Sequence, residues 1–326
     1  MIRARVIATG SYVPEKVLTN FDIEKMVDTS DEWIIERTGI NQRRIARDDQ
    51  AASDLAYEAS KSALEYAGLK PKDLDLIIVA TVTGDMPLPA TACILQHRLG
   101  AKKAAAFDVN AACSGFIYGL SIGDKFIRSG SHKRVLVVGT EILSKFTDWA
   151  DRTTCVLFGD GAGAVILERT EEDRGIIETR IHSDGSMWDL LHTPGGGSKN
   201  PPSSETIRKR YHYIKMKGNE TFKVAVRMLE DLVIATLKHN KLEPSKLSLL
   251  IPHQANRRII QATAKRLNLP MEKVVMNLDR YGNTSAASIP IALDEAFRAG
   301  RIKQDDYILL EAFGGGLTWG SALIKW

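Results

Sequence analysis

The chain has 326 residues, with 44 Lys and Arg against 40 Asp and Glu, 44% hydrophobic positions and three cysteines. A chain of this length buries enough apolar surface to fold without disulfide or metal staples, and its composition excludes a disordered or collagen-like polymer. The formal net charge of +4 carries no basic block of the kind found in nucleic-acid-binding arms, so an anionic partner has to be met by a local patch.

The N-terminal run MIRARVIATGSYVP breaks at Gly10 and Pro14, too soon for a signal peptide, and the longest apolar stretch, LIIVATV from Leu76, is strand-sized. The expectation is a cytoplasmic enzyme without a membrane segment or a nucleic-acid partner. Further along, helical periodicity alternates with β-branched runs. SDLAYEASKSALEYAGL precedes LDLIIVAT, CSGFIYGLSIGDKFIRSG precedes RVLVVGTE, and ALDEAFRAG precedes DYILLEAF. This alternation predicts an α/β protein with parallel strands covered on both faces. GAGAVILER and WGSALIKW read as antiparallel or edge strands that close a sheet. Between Leu190 and Glu220 a glycine triple and three prolines exclude regular structure over about half the stretch.

A shift of 173 positions superimposes three separate elements. It lays Leu69, Pro71, Leu74, Leu76 and Ile78 on Leu242, Pro244, Leu247, Leu249 and Ile251. The same shift lays NAACSGFIYGL on NTSAASIPIAL, and Val135–Val137 on Ile308–Leu310. A constant offset of this kind predicts a duplication, with residues 1–172 and 173–326 as similar halves whose strand ends face one cleft.

Cys113 follows the strand-like AAAFDV and opens a helical pattern among small neighbours. A helix start supplies free N–H groups that favour thiolate, and small neighbours let a substrate approach the sulfur. Cys93 and Cys155 read as buried core cysteines. The odd total of three cysteines and the lack of any CxxC spacing argue against a disulfide framework and a zinc site, and no metal cluster is visible. His253 stands at the end of LSLLI, on the sheet edge where α/β folds gather their sites. Asn283, in the small polar run GNTSAAS, is the 173-shifted counterpart of Asn110, on the turn that carries Cys113. After DYILLEAF, the triple Gly314–Gly316 can turn backbone N–H groups toward a developing anion. GDGAG from Gly159 lacks the spacing of a dinucleotide fingerprint or a P-loop. Cysteine, histidine and asparagine also build thiol hydrolases, so an amidase or a non-decarboxylating acyltransferase using the same residues stays open here, as does a non-enzymatic lipid-binding module.

With these residues placed, ATGSYVPEKVLTN, TSDEWIIERTGI, DVNAACSGF, FGDGAGA, IPHQANRRII, RYGNTSAAS and EAFGGGLTWGSALIKW, in this order over the whole chain, make it resemble the β-ketoacyl-acyl-carrier-protein synthase III family of the thiolase-like superfamily. The resemblance implies a thiolase-like fold of duplicated βαβαβαββ halves in an αβαβα five-layer arrangement, with an irregular connection at about 190–217, and a homodimer. It implies decarboxylative Claisen condensation of an acyl-CoA primer with malonyl-acyl carrier protein, with acyl-CoA as substrate and no metal or other cofactor. By the same resemblance Cys113 takes the acyl group, His253 and Asn283 stabilise the enolate, and the N–H groups of Cys113 and Gly315 form the oxyanion hole. Trp33, Arg37, Arg152, Asn219 and Asn256 match CoA-binding positions, with Gly218 and Phe313 nearby. Lys223, Arg257, Arg258, Lys265 and Arg266 match a face that docks an acidic carrier protein. Leu88 replaces an aromatic residue of acetyl-preferring members on a loop that reaches the partner's acyl pocket, which implies room for a longer or branched primer. The stretch Thr193–Tyr213 is longer and more basic than in compact members.

Overall fold

Runs of buried apolar residues build two sheets, which the computed structural model describes over residues 2–326. The strands are β1 (Arg3–Tyr12), β2 (Leu76–Ala80), β3 (Ala105–Val109), β4 (Arg134–Ile142), β5 (Asp160–Thr170), β6 (Gly175–Ser183), β7 (Leu247–Pro252), β8 (Tyr307–Gly314) and β9 (Thr318–Lys325). The first sheet has the order β1-β5-β4-β2-β3 and the second the order β7-β8-β9-β6. β2 runs parallel to β3 and β4, and β7 runs parallel to β8. Every residue of LIIVA in β2 is buried, as expected of a strand covered on both faces.

Helices α1 (Ala52–Ala67), α2 (Gly115–Arg128), α3 (Gly218–His239), α4 (Arg257–Arg266) and α5 (Ser288–Arg298) complete the layers. α2 and α5 lie between the sheets, where Phe116, Ile117, Leu120, Ile289 and Leu293 join strand residues of both sheets in one core. α1 covers the outer face of the first sheet, and α3 with α4 covers that of the second. The result is the five-layer αβαβα thiolase-like arrangement. Each fully buried aliphatic side chain in these layers contributes roughly 1.5–3 kcal/mol.

The 173-residue shift is visible in the backbone. The 3-10 turn Pro71–Asp73 recurs as Pro244–Lys246, and Ala112–Ser114 recurs as Ser285–Ala287. Even the left-handed residues correspond, with Ala112 at φ 45° and Ser285 at φ 48°. The copy of β3 is reduced to a single parallel bridge between Leu250 and Val274. β5 and β9 are antiparallel as expected, yet both are interior strands rather than edges. Helices cover both faces of each sheet, so an apolar strand gains most burial in the middle. Residues 171–174 join β5 to β6.

The irregular stretch is tied down at both ends. Leu191–His192 pairs with Lys215–Met216, and Ser203 caps a short helix at Ser204–Arg208. Arg210 Nε donates to Asp148 Oδ2 at 2.8 Å, and Ile214 N donates to the Phe146 carbonyl at 2.9 Å. These bonds hold the segment against the residues that follow β4.

Candidate active site

The carboxyl ends of β2, β3, β4, β7 and β8 converge, as parallel strands in both halves require. β3 leads through Asn110 into the 3-10 turn that carries Cys113, and α2 begins at Gly115. The turn is fastened to β9 by Thr318 Oγ1, which donates to the Ala111 carbonyl at 2.8 Å, and by Ser114 Oγ, which donates to Thr318 Oγ1 at 2.7 Å. Burial pushes the Cys113 thiol up to about 11, the Ser285 hydroxyl opposes this, and the charge of Glu141 adds to it. The sequence context favoured thiolate. Removal from water outweighs the helix start at this depth, so the resting sulfur is a thiol.

His253 follows β7 directly, and its backbone N–H donates to the Glu311 carbonyl in β8 at 2.8 Å. Burial pushes its imidazole down to about 3, so the ring is neutral near physiological pH. Nδ1 lies 2.6 Å from Ser288 Oγ, and that oxygen accepts the Gln254 backbone N–H at 3.3 Å. When the hydroxyl hydrogen is directed at Nδ1, the ring hydrogen sits on Nε2. Gln254 staples the following loop, donating to the Pro252 and Val275 carbonyls and accepting from the N–H groups of Asn277 and Leu278.

Asn283 follows Gly282, which has φ 65°. Its backbone bonds to Leu157 and Gly159, and its Oδ1 accepts the Ser285 N–H at 2.8 Å. The carboxamide is thereby oriented with its NH2 group free to donate. The neighbouring GDGAG is strand, with the Asp160 carboxylate accepting from Ala46 N and Ser144 N, and it forms no phosphate loop.

A cavity of about 420 Å³ has Cys113 and Ser285 on its wall, together with Gly315 and the apolar side chains of Val82, Leu143, Phe158 and Leu191. His253 and Asn283, 5% and 7% exposed, stand outside this lining. Among the described residues, neither the Cys113 nor the Gly315 N–H donates to a protein acceptor, as an oxyanion-binding pair requires. Such a set can bind an acyl group beside a thiol and place neutral donors near a developing negative charge. His253 is too weak a base for the thiolate–imidazolium pair of a thiol protease.

Trp33, Arg37 and Arg152 come together at the surface, the two guanidinium carbons lying 5.8 and 5.1 Å from the Trp33 ring centroid. Asn256 joins them by donating to the Arg37 carbonyl at 2.9 Å, while its Oδ1 caps α4. Asn219 is exposed at the start of α3, beside Gly218, and Phe313 is buried under that helix. Lys223, Arg258, Lys265 and Arg266 are exposed on α3 and α4, with Arg258 stacked 5.2 Å over Phe222. Arg257 is different, because it is half-buried and bonds to the Gly39 carbonyl at 3.4 Å. Leu88 is 84% exposed and does not line this chain's cavity. Cys93, expected in the core, is exposed, with its thiol 3.8 Å from the Ala106 carbonyl of the edge strand β3.

Sequence reasoning passed over three buried polar residues. Ser288 and Ser285 lay unremarked within the small polar run after Asn283. Glu141 lay within the apolar run of β4 and gave no signal. It is fully buried, and its carboxylate accepts from Thr83 Oγ1 at 2.6 Å, Thr81 Oγ1 at 3.3 Å and Val82 N at 3.2 Å. The wall residues Trp188 and His192 also became visible only in the fold.

The duplicated five-layer body, with the Cys113 thiol on the wall of its cavity, belongs to the thiolase-like class of acyl-transfer enzymes. Family models for 3-oxoacyl-[acyl-carrier-protein] synthase III match residues 107–185 and, for its C-terminal part, residues 237–326. The chain is 58% identical to the β-ketoacyl-[acyl-carrier-protein] synthase III of Caldanaerobacter subterraneus subsp. tengcongensis, covering 100% of this chain and 98% of that one. It is also 58% identical to the enzyme of that name from Xanthomonas campestris pv. campestris, covering 100% and 99%. The crystal structure of 3-oxoacyl-[acyl-carrier-protein] synthase III from Aquifex aeolicus VF5 matches with a TM-score of 0.92 at 52% identity, covering 99% and 100%. The chain belongs to the β-ketoacyl-[acyl-carrier-protein] synthase III family.

Proposed function

We propose that Cys113 is the nucleophile of a decarboxylative Claisen condensation. The chain is an acyltransferase that joins an acyl-CoA primer to malonyl-acyl carrier protein, giving 3-oxoacyl-acyl carrier protein, CoA and carbon dioxide, and so initiates fatty-acid synthesis. The observation that carries the role of Cys113 is its place on the wall of an apolar cavity beside unengaged N–H donors. In this reading the acyl chain occupies the cavity, and the N–H groups of Cys113 and Gly315 hold the oxyanion of the tetrahedral intermediate. His253 Nε2–H and the Asn283 carboxamide then donate to the malonyl thioester carbonyl. Loss of carbon dioxide generates the enolate, so neutral donors suffice and no base has to remove a proton from carbon.

CoA is held in this reading by Trp33, Arg37, Arg152, Asn219 and Asn256. The exposed Lys223, Arg258, Lys265 and Arg266 receive the carrier protein, with Arg257 contributing mainly by packing. We read residues 1–172 as the half that carries the nucleophile and 173–326 as the half that carries the donors. The protein acts in the cytoplasm as a homodimer, and Leu88 projects into the partner's acyl pocket, where its size leaves room for longer or branched primers. Among the described residues, no helix is long and apolar enough to cross a membrane and no cluster is suited to a metal. Incubation with radiolabelled acetyl-CoA tests the assignment. Label is expected on Cys113 of the wild type and absent from Cys113→Ala, and an unlabelled wild type or a labelled variant overturns it.

A further inference from the structure

Among the described residues the largest fully buried side chain is a cation, Arg43, on the short strand Gln42–Ile45. Its guanidinium donates from Nη1 to the Leu18 carbonyl at 3.2 Å and to Asn20 Oδ1 at 2.9 Å, and from Nη2 to the Val156 carbonyl at 2.8 Å. These oxygens are all neutral, and among the described residues no carboxylate pairs with it. Burial pushes the group down to about 10, so it keeps its charge near neutrality. Holding a charge this way costs desolvation free energy that an apolar side chain of similar volume would not. What the guanidinium supplies is a planar fork of donors that reaches separate segments at fixed angles.

One arm of the fork leads to the helix Asp31–Thr38, which carries Trp33 and Arg37. A guanidinium offers only donors, so Asn20 turns Oδ1 toward it and leaves Nδ2 to donate to Asp31 Oδ1 and to the Ile40 carbonyl, both at 2.8 Å. Asp31 opens that helix and Ile40 follows its Gly39 cap, so one buried carboxamide holds both ends. The other arm leads to Val156, the residue that caps the helix Arg152–Cys155. Arg152 reaches back from there, donating to the Asp28 carbonyl at 2.8 Å with its guanidinium carbon 5.1 Å from the Trp33 ring centroid. The root of Arg43 is fixed as well, since a Cβ on Gly159 would lie 3.0 Å from the Arg43 Cβ and one on Gly282 3.2 Å from it. Ile34, Cys155 and Val156 join the two helices in one small apolar cluster. Apolar contact is non-directional, so the fork and the carboxamide set the angle between them.

We propose that Arg43 is a positioning residue for acyl-CoA, which sets Trp33 and Arg37 against Arg152 through Asn20 on one side and the Val156 carbonyl on the other. The preference for a thioester that carries the CoA nucleotide, over one that ends at pantetheine, then depends on a side chain that touches neither substrate nor reacting atoms. Asn20 shares the role, because it converts one bond from Arg43 into a hold on both ends of the Trp33 helix. This role rests on the reading of Trp33, Arg37 and Arg152 as CoA contacts.

Steady-state thiol release with saturating malonyl-acyl carrier protein, from acetyl-CoA or from acetyl-pantetheine, gives kcat/KM for each primer. Their ratio measures what the nucleotide contributes. Loosening of the whole fold lowers both values together, whereas a displaced clamp lowers the acetyl-CoA value alone. Asn20→Asp keeps an oxygen toward the guanidinium but presents an acceptor, in place of a donor, to Asp31 and Ile40. Arg43→Lys keeps the charge and loses the fork. Each is expected to raise KM for acetyl-CoA and lower the ratio roughly tenfold, with acetyl-pantetheine within about threefold of wild type. Combining Asn20→Asp with Asp31→Asn returns a donor to that contact and is expected to recover most of the ratio. If Arg43→Lys does not fold, the single and double Asn20 variants decide. A wild-type ratio in Asn20→Asp, equal losses with both primers, or a double variant no better than Asn20→Asp overturns the positioning role. Trp33→Ala is expected to lower the ratio at least as far. An unchanged ratio in Trp33→Ala overturns the CoA-site reading itself, whereas a lowered one beside wild-type ratios in Arg43→Lys and Asn20→Asp overturns the role of Arg43 alone.

Discussion

Ser288 Oγ lies 2.6 Å from His253 Nδ1, and this bond couples the orientation of the hydroxyl to the tautomer of the ring. The hydroxyl accepts the Gln254 N–H, and when its own hydrogen points at Nδ1 the ring hydrogen sits on Nε2, which is then the donor. Ser288→Ala frees the ring to change tautomer. Condensation by preformed acyl-enzyme is expected to fall roughly tenfold to hundredfold, less than for outright loss of an oxyanion donor. CoA release during acylation is expected to stay at the wild-type rate. An unchanged rate of carbon dioxide release in the variant would remove Ser288 from the mechanism. Because burial holds His253 near 3, its active neutral form dominates above that pH. The condensation step should therefore show no acid limb from this residue between pH 5 and 9.

Gly314 ends β8 against the nucleophile. A Cβ there would lie 2.6 Å from Cys113 N and 3.0 Å from Cys113 Cβ. These neighbours are backbone and a fixed side-chain root, so they cannot rotate away. Gly314→Ala is expected to destabilise the fold by about 1–3 kcal/mol and to abolish acyl labelling of Cys113, because the strain falls on the turn that aims the sulfur. Urea unfolding and a labelling gel measure the two effects. Full labelling with unchanged stability would mean that the turn yields without cost.

The repeat was legible in the residues because the turns kept their length: Ala112 and Ser285 adopt the same left-handed conformation 173 positions apart, and α2 and α5 start at the same spacing. The loss of the fifth strand from the second half was hidden, since none of the three matched segments covers β3 or its copy, where only Val274 pairs. Cys113 and His253 showed themselves by lying at strand ends. Glu141 did not, because one acid in an apolar run looks like a strand end facing water until the fold places Thr81, Thr83 and Ser285 around it. Cys93 failed for a related reason: local apolar neighbours do not tell that its short helix borders the edge strand β3.

The basic face on α3 and α4 divides by packing. Arg258, Lys265 and Arg266 are exposed, whereas Arg257 is engaged with Gly39. Reversing charge at Arg258 and Lys265 is expected to raise KM for malonyl-acyl carrier protein roughly tenfold, more at low salt, with little change for malonyl-CoA. Arg257→Glu is expected instead to lower thermal stability through lost packing. Steady-state kinetics with the two malonyl donors decide the matter, and an equal rise of KM for both would locate these residues at the CoA site.

Glu311 in β8 is a second buried acid, and it lies where the His253 backbone is anchored. Among the described residues neither of its carboxyl oxygens has a hydrogen-bond partner, and only the Thr263 hydroxyl is near enough to favour ionisation. Burial raises the group to about 8, so it is protonated in the folded protein when the unfolded chain has already ionised at its ordinary value near 4.5. The folded state then binds the extra proton. Its stability contribution is complete below pH 4.5, declines as pH rises toward 8, and is lost above it. Across that window the wild type is expected to lose a few kcal/mol relative to Glu311→Gln, whose side chain does not titrate. Urea unfolding of both proteins at pH 5, 7 and 9 measures the difference. Parallel stability curves would show that the carboxyl ionises without penalty. A wild-type curve that falls relative to the variant's as pH rises would place the cost on the strand that holds His253, and condensation activity should then decline on the alkaline side in step with the wild-type stability.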